Sequence, residues 1–278
     1  MLATILIPAH NEAAVIGQTL MHLACSANPG EFRVIVIANA CTDATASRAR
    51  SVMPTAHVLE TEVAGKCHAL NLGFMLADRN KPVICLDADL VITSESLVAL
   101  VAAMEDGQKQ AACGQMDVCA AGASSVVRAY YKGWRTNPYF DCGKFGGVFA
   151  LAPEIAIQLF PLPLITADDE YVRRHVGKDR IAFVSDSRFV ARAPKALNSL
   201  IQVRRRSLRG AREVSKMGLQ SPERGSSVAV LGRLIRQPKH ALSIGVYACV
   251  NAWVRLSMRS SVFAAGHWER DMTSRVGG

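Results

Sequence analysis

Aromatic side chains make up only 6% of this chain. That removes the stacking platforms on which binders of single-stranded nucleic acid depend, so no nucleic-acid partner is expected. Long hydrophobic runs are missing too. A spanning helix needs roughly 18 uninterrupted apolar residues, and the nearest candidate, Ala241 to Val254, is broken by Ser243 and Asn251. The eight cysteines contain no Cys-x-x-Cys pair. They therefore read as buried thiols in a reducing compartment, not as zinc ligands or a disulfide framework. The opening Met1-Leu2-Ala3-Thr4-Ile5-Leu6-Ile7 lacks a basic segment and meets Pro8, His10, Asn11 and Glu12 before an apolar signal core could finish. A cytoplasmic location is the expectation.

What is present is a chain of 278 residues, half of them hydrophobic, which is enough to bury a full core and excludes disorder as a whole. Acidic residues become scarce toward the end. Residues 1–200 hold 18 Lys/Arg against 19 Asp/Glu, whereas residues 201–278 hold 14 against 4. A basic tail by its charge suits nucleic acid, a diphosphate or the anionic surface of a membrane, and charge alone does not choose between them.

Apolar runs of strand length recur at Ala3–Ile7, Arg33–Ala38, Ala56–Leu59 and Pro82–Leu86. Helix-period stretches follow them at Glu12–Cys25, Asp43–Val52, Lys66–Leu76 and Ser94–Met104. Strands apolar at nearly every position belong in a parallel sheet covered on both faces, so the class expected is α/β, Rossmann-like and doubly wound, with a mostly parallel sheet. Beyond Met104 the pattern turns mixed, with Ala111–Val118, Ser124–Trp134 and Gly143-Lys144-Phe145-Gly146-Gly147 leading into Val148–Leu151. We expect a catalytic domain over residues 1–195, split into a nucleotide half (1–105) and a mixed acceptor half (106–195). A basic helical C-terminal region over 196–278 completes the chain, with a flexible Gln220–Ser227 segment inside it.

In doubly wound sheets the ligand crevice lies beyond the carboxyl ends of the strands. The polar clusters fall there: Pro8-Ala9-His10-Asn11-Glu12 after strand one, Asn39-Ala40-Cys41-Thr42-Asp43 after strand two, Asp87-Ala88-Asp89 after strand four. Alternation along a strand would turn both carboxylates of Asp87 and Asp89 to the same side. Such a pair suits a hard divalent ion shared with phosphate oxygens, Mn²⁺ or Mg²⁺, although a solvated turn or helix cap accounts for the spacing equally well. Asp168-Asp169-Glu170 precedes a helical stretch and reads either as its first-turn acids or as the home of a general base. Lys66 opens a helix, where a cation opposes the dipole, which favours a phosphate partner. Gln202-Val203-Arg204-Arg205-Arg206 and Arg209 add guanidinium groups able to grip phosphate or to line a solvated helix face.

Taken as an ordered set, these residues resemble the family-two inverting glycosyltransferases of the A-type fold over roughly the first 210 positions. Pro8-Ala9-His10-Asn11-Glu12 is similar to the family's Pro-x-aromatic-Asn-Glu opening. Gly65-Lys66 with Ala69, Leu70, Asn71 and Gly73 resembles its Gly-Lys-x-x-Ala-Leu-Asn-x-Gly segment, and Asp87-Ala88-Asp89 its Asp-x-Asp. The resemblance implies a nucleotide-sugar site formed by Pro8, Ala9, His10, Glu12, Asn39, Asp43, Lys66, Asp87, Ala88, Arg205 and Arg206. It implies metal binding by Asp89, a catalytic base at Asp169, and acceptor-side roles for Gly146, Gly147 and Asp168. Asn39 stands where an aspartate is frequent, and Gln202, Arg205 and Arg206 match the family's Gln-x-x-Arg-Trp only in part, because no Trp follows. Trp268-Glu269-Arg270-Asp271 with Ser274-Arg275 is similar to tails of bacterial members.

The activity implied is transfer of a hexose from a nucleoside-diphosphate-sugar donor to a hydroxyl acceptor. A lipid-linked acceptor would suit a tail, Pro238 to Arg259, that can lie on the inner face of the plasma membrane; a dimer contact or a core helix fits the same pattern. Two other classes remain open at this point: a nucleotidyltransferase, which would need a Gly-rich basic loop after strand one, and a non-catalytic nucleotide-binding protein.

Overall fold

The computed structural model describes residues 1–26, 28, 30–137, 145–219, 232 and 236–258. The expected Gln220–Ser227 segment, the Trp268–Arg275 motif, Gly143-Lys144 and Cys142 lie outside the described residues.

The first part alternates strand and helix as the apolar runs predict. β1 (Ala3–Ala9), α1 (Ile16–Ser26), β2 (Phe32–Asn39), α2 (Thr45–Val52), β3 (His57–Thr61), α3 (Lys66–Met75) and β4 (Val83–Leu86) come first, then a short β5 (Val91–Ile92) and α4 (Ser94–Ala102). β6 (Ala111–Cys119), α5 (Ser125–Trp134), β7 (Val148–Leu151), α6 (Pro153–Leu159), α7 (Asp168–Val176), β8 (Ile181–Arg192), α8 (Leu197–Lys216) and α9 (Ala241–Ser257) follow. The eight strands form one sheet in the order β3-β2-β1-β4-β7-β6-β8-β5. β1 to β4 pair in parallel, and β7 enters antiparallel between β4 and β6. β5, from the expected nucleotide half, closes on β8, from the expected acceptor half, so a single sheet runs through both.

All seven residues of β1 are buried. The pleat sends Ile5 and Ile7 into one apolar layer with α1, α4 and α5, and Leu6 into the other with α3, α6 and α7. Burying an isoleucine or leucine side chain is worth about 1.5–3 kcal/mol, so strands covered on both sides hold the sheet's centre rigidly. The parallel register sets Ala9 opposite Ala38, and Asn39 opposite Thr61. The carboxyl tips of β1, β2 and β3 therefore end at one level, and the polar loops that follow share one edge.

Three sequence expectations need correction. β4 ends at Leu86 and Asp87–Leu90 is a turn, so strand alternation does not orient Asp87 and Asp89. The first helix begins at Ile16, because Val15 N–H and Ile16 N–H both close onto Glu12 O and the preceding residues form a turn. Among the described cysteines Cys67, Cys85 and Cys113 are buried, but Cys25, Cys119 and Cys249 are exposed, on the ends of α1 and β6 and the outer face of α9.

Candidate active site

At the tips of β1 and β2 the two loops are tied into one unit by their own side chains. Asn39 is 3% exposed. It donates through Nδ2 to Ala9 O at 2.8 Å and accepts from Gly65 N–H at 3.1 Å, so its amide joins β1, β2 and the start of α3. Expected in the nucleotide site, it stands at that edge with its amide held by backbone groups. His10 Nδ1 lies 2.5 Å from Asn39 O. Asn11, with φ +51, accepts from Thr42 N–H at 2.7 Å, and Ala40 at the end of β2 carries φ +46. These left-handed residues turn the chain sharply back over the sheet edge, and the side chain of Asn11 makes the local hydrogen bond that offsets the strain. Asp43 accepts from Ala13 N–H and Thr45 N–H, and Thr45 Oγ1 in turn accepts from Glu12 N–H at 2.7 Å. Pro8 and Ala9 belong to β1 itself, and Glu12 is buried between the two loops.

Lys66, the first residue of α3, is the centre of the site. Its Nζ lies 2.7 Å from Asp87 Oδ1 and 2.9 Å from Asp168 Oδ2. A cation at a helix start is unfavourable alone, and two carboxylates reverse that balance. Burial works against the ammonium charge, but Asp168, Asp87 and Asp169 outweigh it and hold the Lys66 pKa well above its ordinary value. Asp168 is 2% exposed. Burial pushes its carboxyl up to about 6, with Lys66 opposing and the charges of Asp169 and Asp87 adding to the rise. Asp168, expected on the acceptor side, is thus enclosed and faces Lys66. Asp169, beside it in the first turn of α7, is partly exposed and accepts from Glu170 N–H at 2.8 Å.

The turn carrying Asp87, Ala88 and Asp89 is braced on both sides. Thr19 Oγ1 of α1 lies 2.8 Å from both Ala88 O and Leu90 O, and Asp87 N–H donates to Gly147 O at 2.8 Å. Gly147 has φ +99, and a Cβ there would stand 2.6 Å from Asp87 Oδ2. Only glycine lets β7 begin this close to the carboxylate. Gly146, at φ +57, precedes it and packs on Met116 and Phe189.

α8 fixes the loop before α7. A Cβ on Gly210 would meet Ala167 Cβ at 2.6 Å, so the helix lies directly on that loop. Thr166 N–H donates to Glu213 Oε2 at 3.0 Å, and Arg174 donates to Ser215 Oγ and Leu219 O. Arg174 and Arg173 both grip Glu170, whose carboxyl stays below its usual range although burial opposes this. Arg206 and Gln202 precede Gly210 by one and two turns and lie on the same side of the helix, Gln202 exposed. Arg205 does not. It reaches Ser257 Oγ at 3.1 Å, and Arg204 reaches Asn251 Oδ1 at 3.2 Å, so both serve the packing of α8 on α9. Beside Lys66 a cavity of about 390 Å³ opens, bordered by Gly65, His68, Ile165, Thr166 and Glu213.

Glu213, Thr19 and the bracing role of Asp43 escaped the sequence reading. A Gly-x-x-Glu spacing on α8 is compatible with one helix face meeting a loop, but nothing in the sequence says which loop. Among the described residues no cluster of three or more His, Cys, Asp or Glu side chains is gathered as a metal cage.

This sheet order and this convergence of polar strand tips define an A-type glycosyltransferase fold. The family model "Glycosyl transferase family 2" matches residues 4–156, and the chain belongs to that family and is a glycosyltransferase. No curated protein matches it. Among solved structures, a mannosyltransferase from Pyrobaculum calidifontis, in complex with GDP-Man and Mn²⁺, aligns with TM-score 0.61 and 18% identity over 95% of this chain and 77% of that one. Glucosyl-3-phosphoglycerate synthase from Mycobacterium tuberculosis, with Mn²⁺, UDP-Glc and phosphoglyceric acid, aligns with TM-score 0.55 and 19% identity over 79% and 80%. TarS from S. aureus aligns with TM-score 0.53 and 15% identity over 84% of this chain and 44% of that one. At these identities the likeness is one of fold.

Proposed function

We propose that the protein is a metal-dependent, inverting glycosyltransferase that moves a hexose from a nucleoside-diphosphate-sugar to an acceptor hydroxyl, with Asp169 as base. The observation that supports this most directly is the double ion pair of Lys66, which draws the tip of β4 and the start of α7 to one point on the sheet edge. Complexes of the fold relatives with GDP-Man, UDP-Glc and Mn²⁺ agree with it.

The donor set fits a divalent ion of the kind that binds one or two carboxylates and completes its shell with phosphate oxygens and water. Asp89 would hold Mn²⁺ or Mg²⁺, with Asp87 next to it. When bound, the ion supplies positive charge that stabilises the departing diphosphate. Lys66 adds a fixed ammonium on the same side, and Arg206 a guanidinium from the side of α8 that carries Gly210. Glu12 and Asp43 shape the nucleoside loops, with His10 at their rim.

Asp169 takes the proton of the acceptor hydroxyl as its oxygen attacks the anomeric carbon. The bond from that carbon to the diphosphate oxygen breaks, and its electron pair leaves with the nucleoside diphosphate. Attack from the face opposite the leaving group inverts the centre in one step. Asp168 and Glu170 are both committed to cations of the protein. Among the three neighbouring acids, Asp169 is the one left to do this work.

A thermal-shift panel of UDP-, GDP- and dTDP-sugars with and without Mn²⁺ identifies the donor, since a ligand at 100 times its Kd stabilises by about 2.7 kcal/mol. NMR of the first-formed product then reads the anomer. Retention of configuration would exclude single displacement.

A further inference from the structure

α9 packs Ser243, Ile244, Val250, Asn251 and Val254 inward. Its Tyr247 meets Tyr130 of α5 at 5.3 Å between ring centroids, and its Asn251 takes Arg204 of α8. The opposite side is the unusual one. Leu242 is 82% exposed, Trp253 62% and Leu256 60%, and Cys249 is exposed between them. At 100° per residue these four fall within about 60° of one another, and Ala252, also exposed, extends the same stripe. A helix with one face in the core normally shows polar residues on the other. Here the outward face is apolar along its whole length.

We propose that this face of α9 docks on an anionic lipid bilayer surface. Charge complementarity favours that occupant. No Asp or Glu occurs between residues 224 and 268, whereas Arg236 and Lys239 precede α9 and Arg255 sits at the border of the stripe. All three are exposed. Cations at both ends of an apolar, Trp-bearing stripe match the boundary between acyl chains and acidic headgroups, with the aliphatic stems lying along the apolar layer and the charges in the headgroups. Among the described residues no helix is long and apolar enough to cross a membrane, so the contact is interfacial. α8 lies on α9 with one face and on the loop before Asp168 with another. Docking through α9 therefore holds the membrane contact and the loop before Asp168 to two faces of one helix. The docking itself does not depend on the proposed transfer reaction.

The test is flotation of the whole chain with phosphatidylcholine vesicles and with vesicles containing added phosphatidylglycerol. Binding is expected only to the second, weakened by salt, with a blue shift of tryptophan emission that is lost in Trp253→Ser. The triple variant Leu242→Ser/Trp253→Ser/Leu256→Ser should remain in the soluble fraction. Lys239→Gln/Arg255→Gln should bind about 25-fold more weakly, from roughly fivefold per cation. Each variant should keep its thermal midpoint and its response to nucleotide with Mn²⁺, which reads the donor site separately. Wild-type protein that does not float, or a triple variant that floats as well as wild type, overturns the proposal. So does a stable dimer in light scattering that the triple variant abolishes without any vesicle binding, because the face would then belong to a second copy of the chain.

Discussion

The Nζ of Lys66 and the Oδ2 of Asp168 stand 2.9 Å apart, joining the first residue of α3 to the first residue of α7 across the edge of the sheet. The Asp168 carboxylate is 3% exposed and the Lys66 side chain 22% exposed, so neither charge is left to bulk solvent. Their pairing holds the loop that carries Asp169 against the tip of β4.

Removing one partner should therefore cost stability as well as activity. Lys66→Met leaves Asp168 buried without its cation, and a loss of about 3 kcal/mol is expected, as for other broken buried pairs. Urea unfolding of the two single variants and of Lys66→Met/Asp168→Asn gives the coupling. The double variant should be more stable than Lys66→Met, because the second change removes the uncompensated charge.

Proton uptake by Asp168 sets a limb in the pH profile. Its carboxyl, raised by burial to about 6, is protonated below that value and no longer pairs as an anion with Lys66. We expect kcat/KM to fall as pH drops through about 6 and the limb to vanish in Asp168→Asn. Stability moves the other way for this group. A carboxyl with a raised folded pKa favours the native state most at pH below its unfolded value, and that contribution is lost as pH rises toward 6. The raised pKa of Lys66 sustains its own contribution to well above neutrality.

Asp169→Asn should lower kcat by about 10²–10⁴-fold, the usual worth of a general base, while nucleotide affinity survives. Isothermal titration with the donor nucleotide and turnover measured on the same preparation separate the two. Unchanged turnover would assign the base elsewhere.

Chelation with EDTA should abolish turnover and Mn²⁺ should restore it if, as proposed, Asp89 shares a divalent ion with the donor diphosphate. Full activity in the chelator would remove Asp89 from the donor site.

Gly147→Ala places a methyl group 2.6 Å from Asp87 Oδ2 in a backbone with φ +99. Strain of about 1–3 kcal/mol is expected, with Asp87 displaced from Lys66. A lowered thermal midpoint together with weakened nucleotide binding is the outcome; a neutral substitution would mean that β7 can back away from the turn.

Much of this was legible in the residues. The four apolar runs match β1 to β4 within a residue or two at each end; for β1, β2 and β4 the reason is that a strand buried on both faces must be apolar at consecutive positions, and that signal is local, whereas β3 is a half-exposed edge strand. The polar stretches at 10–12, 40–43 and 87–89 were legible as loops at one edge for the same reason, while Pro8, Ala9 and Asn39 proved to be the last residues of their strands. Asn39 illustrates the limit. Its position was readable, but its engagement with Ala9 O and Gly65 N–H depends on two other elements arriving beside it. Arg205 and Arg206 are neighbours in sequence yet lie about 100° apart around α8, and only the packing of α9 on one side and the α7 loop on the other separates their duties. Glu213 gave no signal at all, since its carboxylate matters only because Thr166 N–H happens to meet it.

The amino-acid order by itself determined the class of fold and the identity of the polar loops, because burial periodicity and turn chemistry act over a few residues. The tertiary structure alone decided which acid faces Lys66, which arginine packs α8 on α9 and which face of α9 remains uncovered. Those outcomes rest on contacts between segments far apart in the chain, where a displacement of a few ångströms separates an ion pair from two unrelated charges.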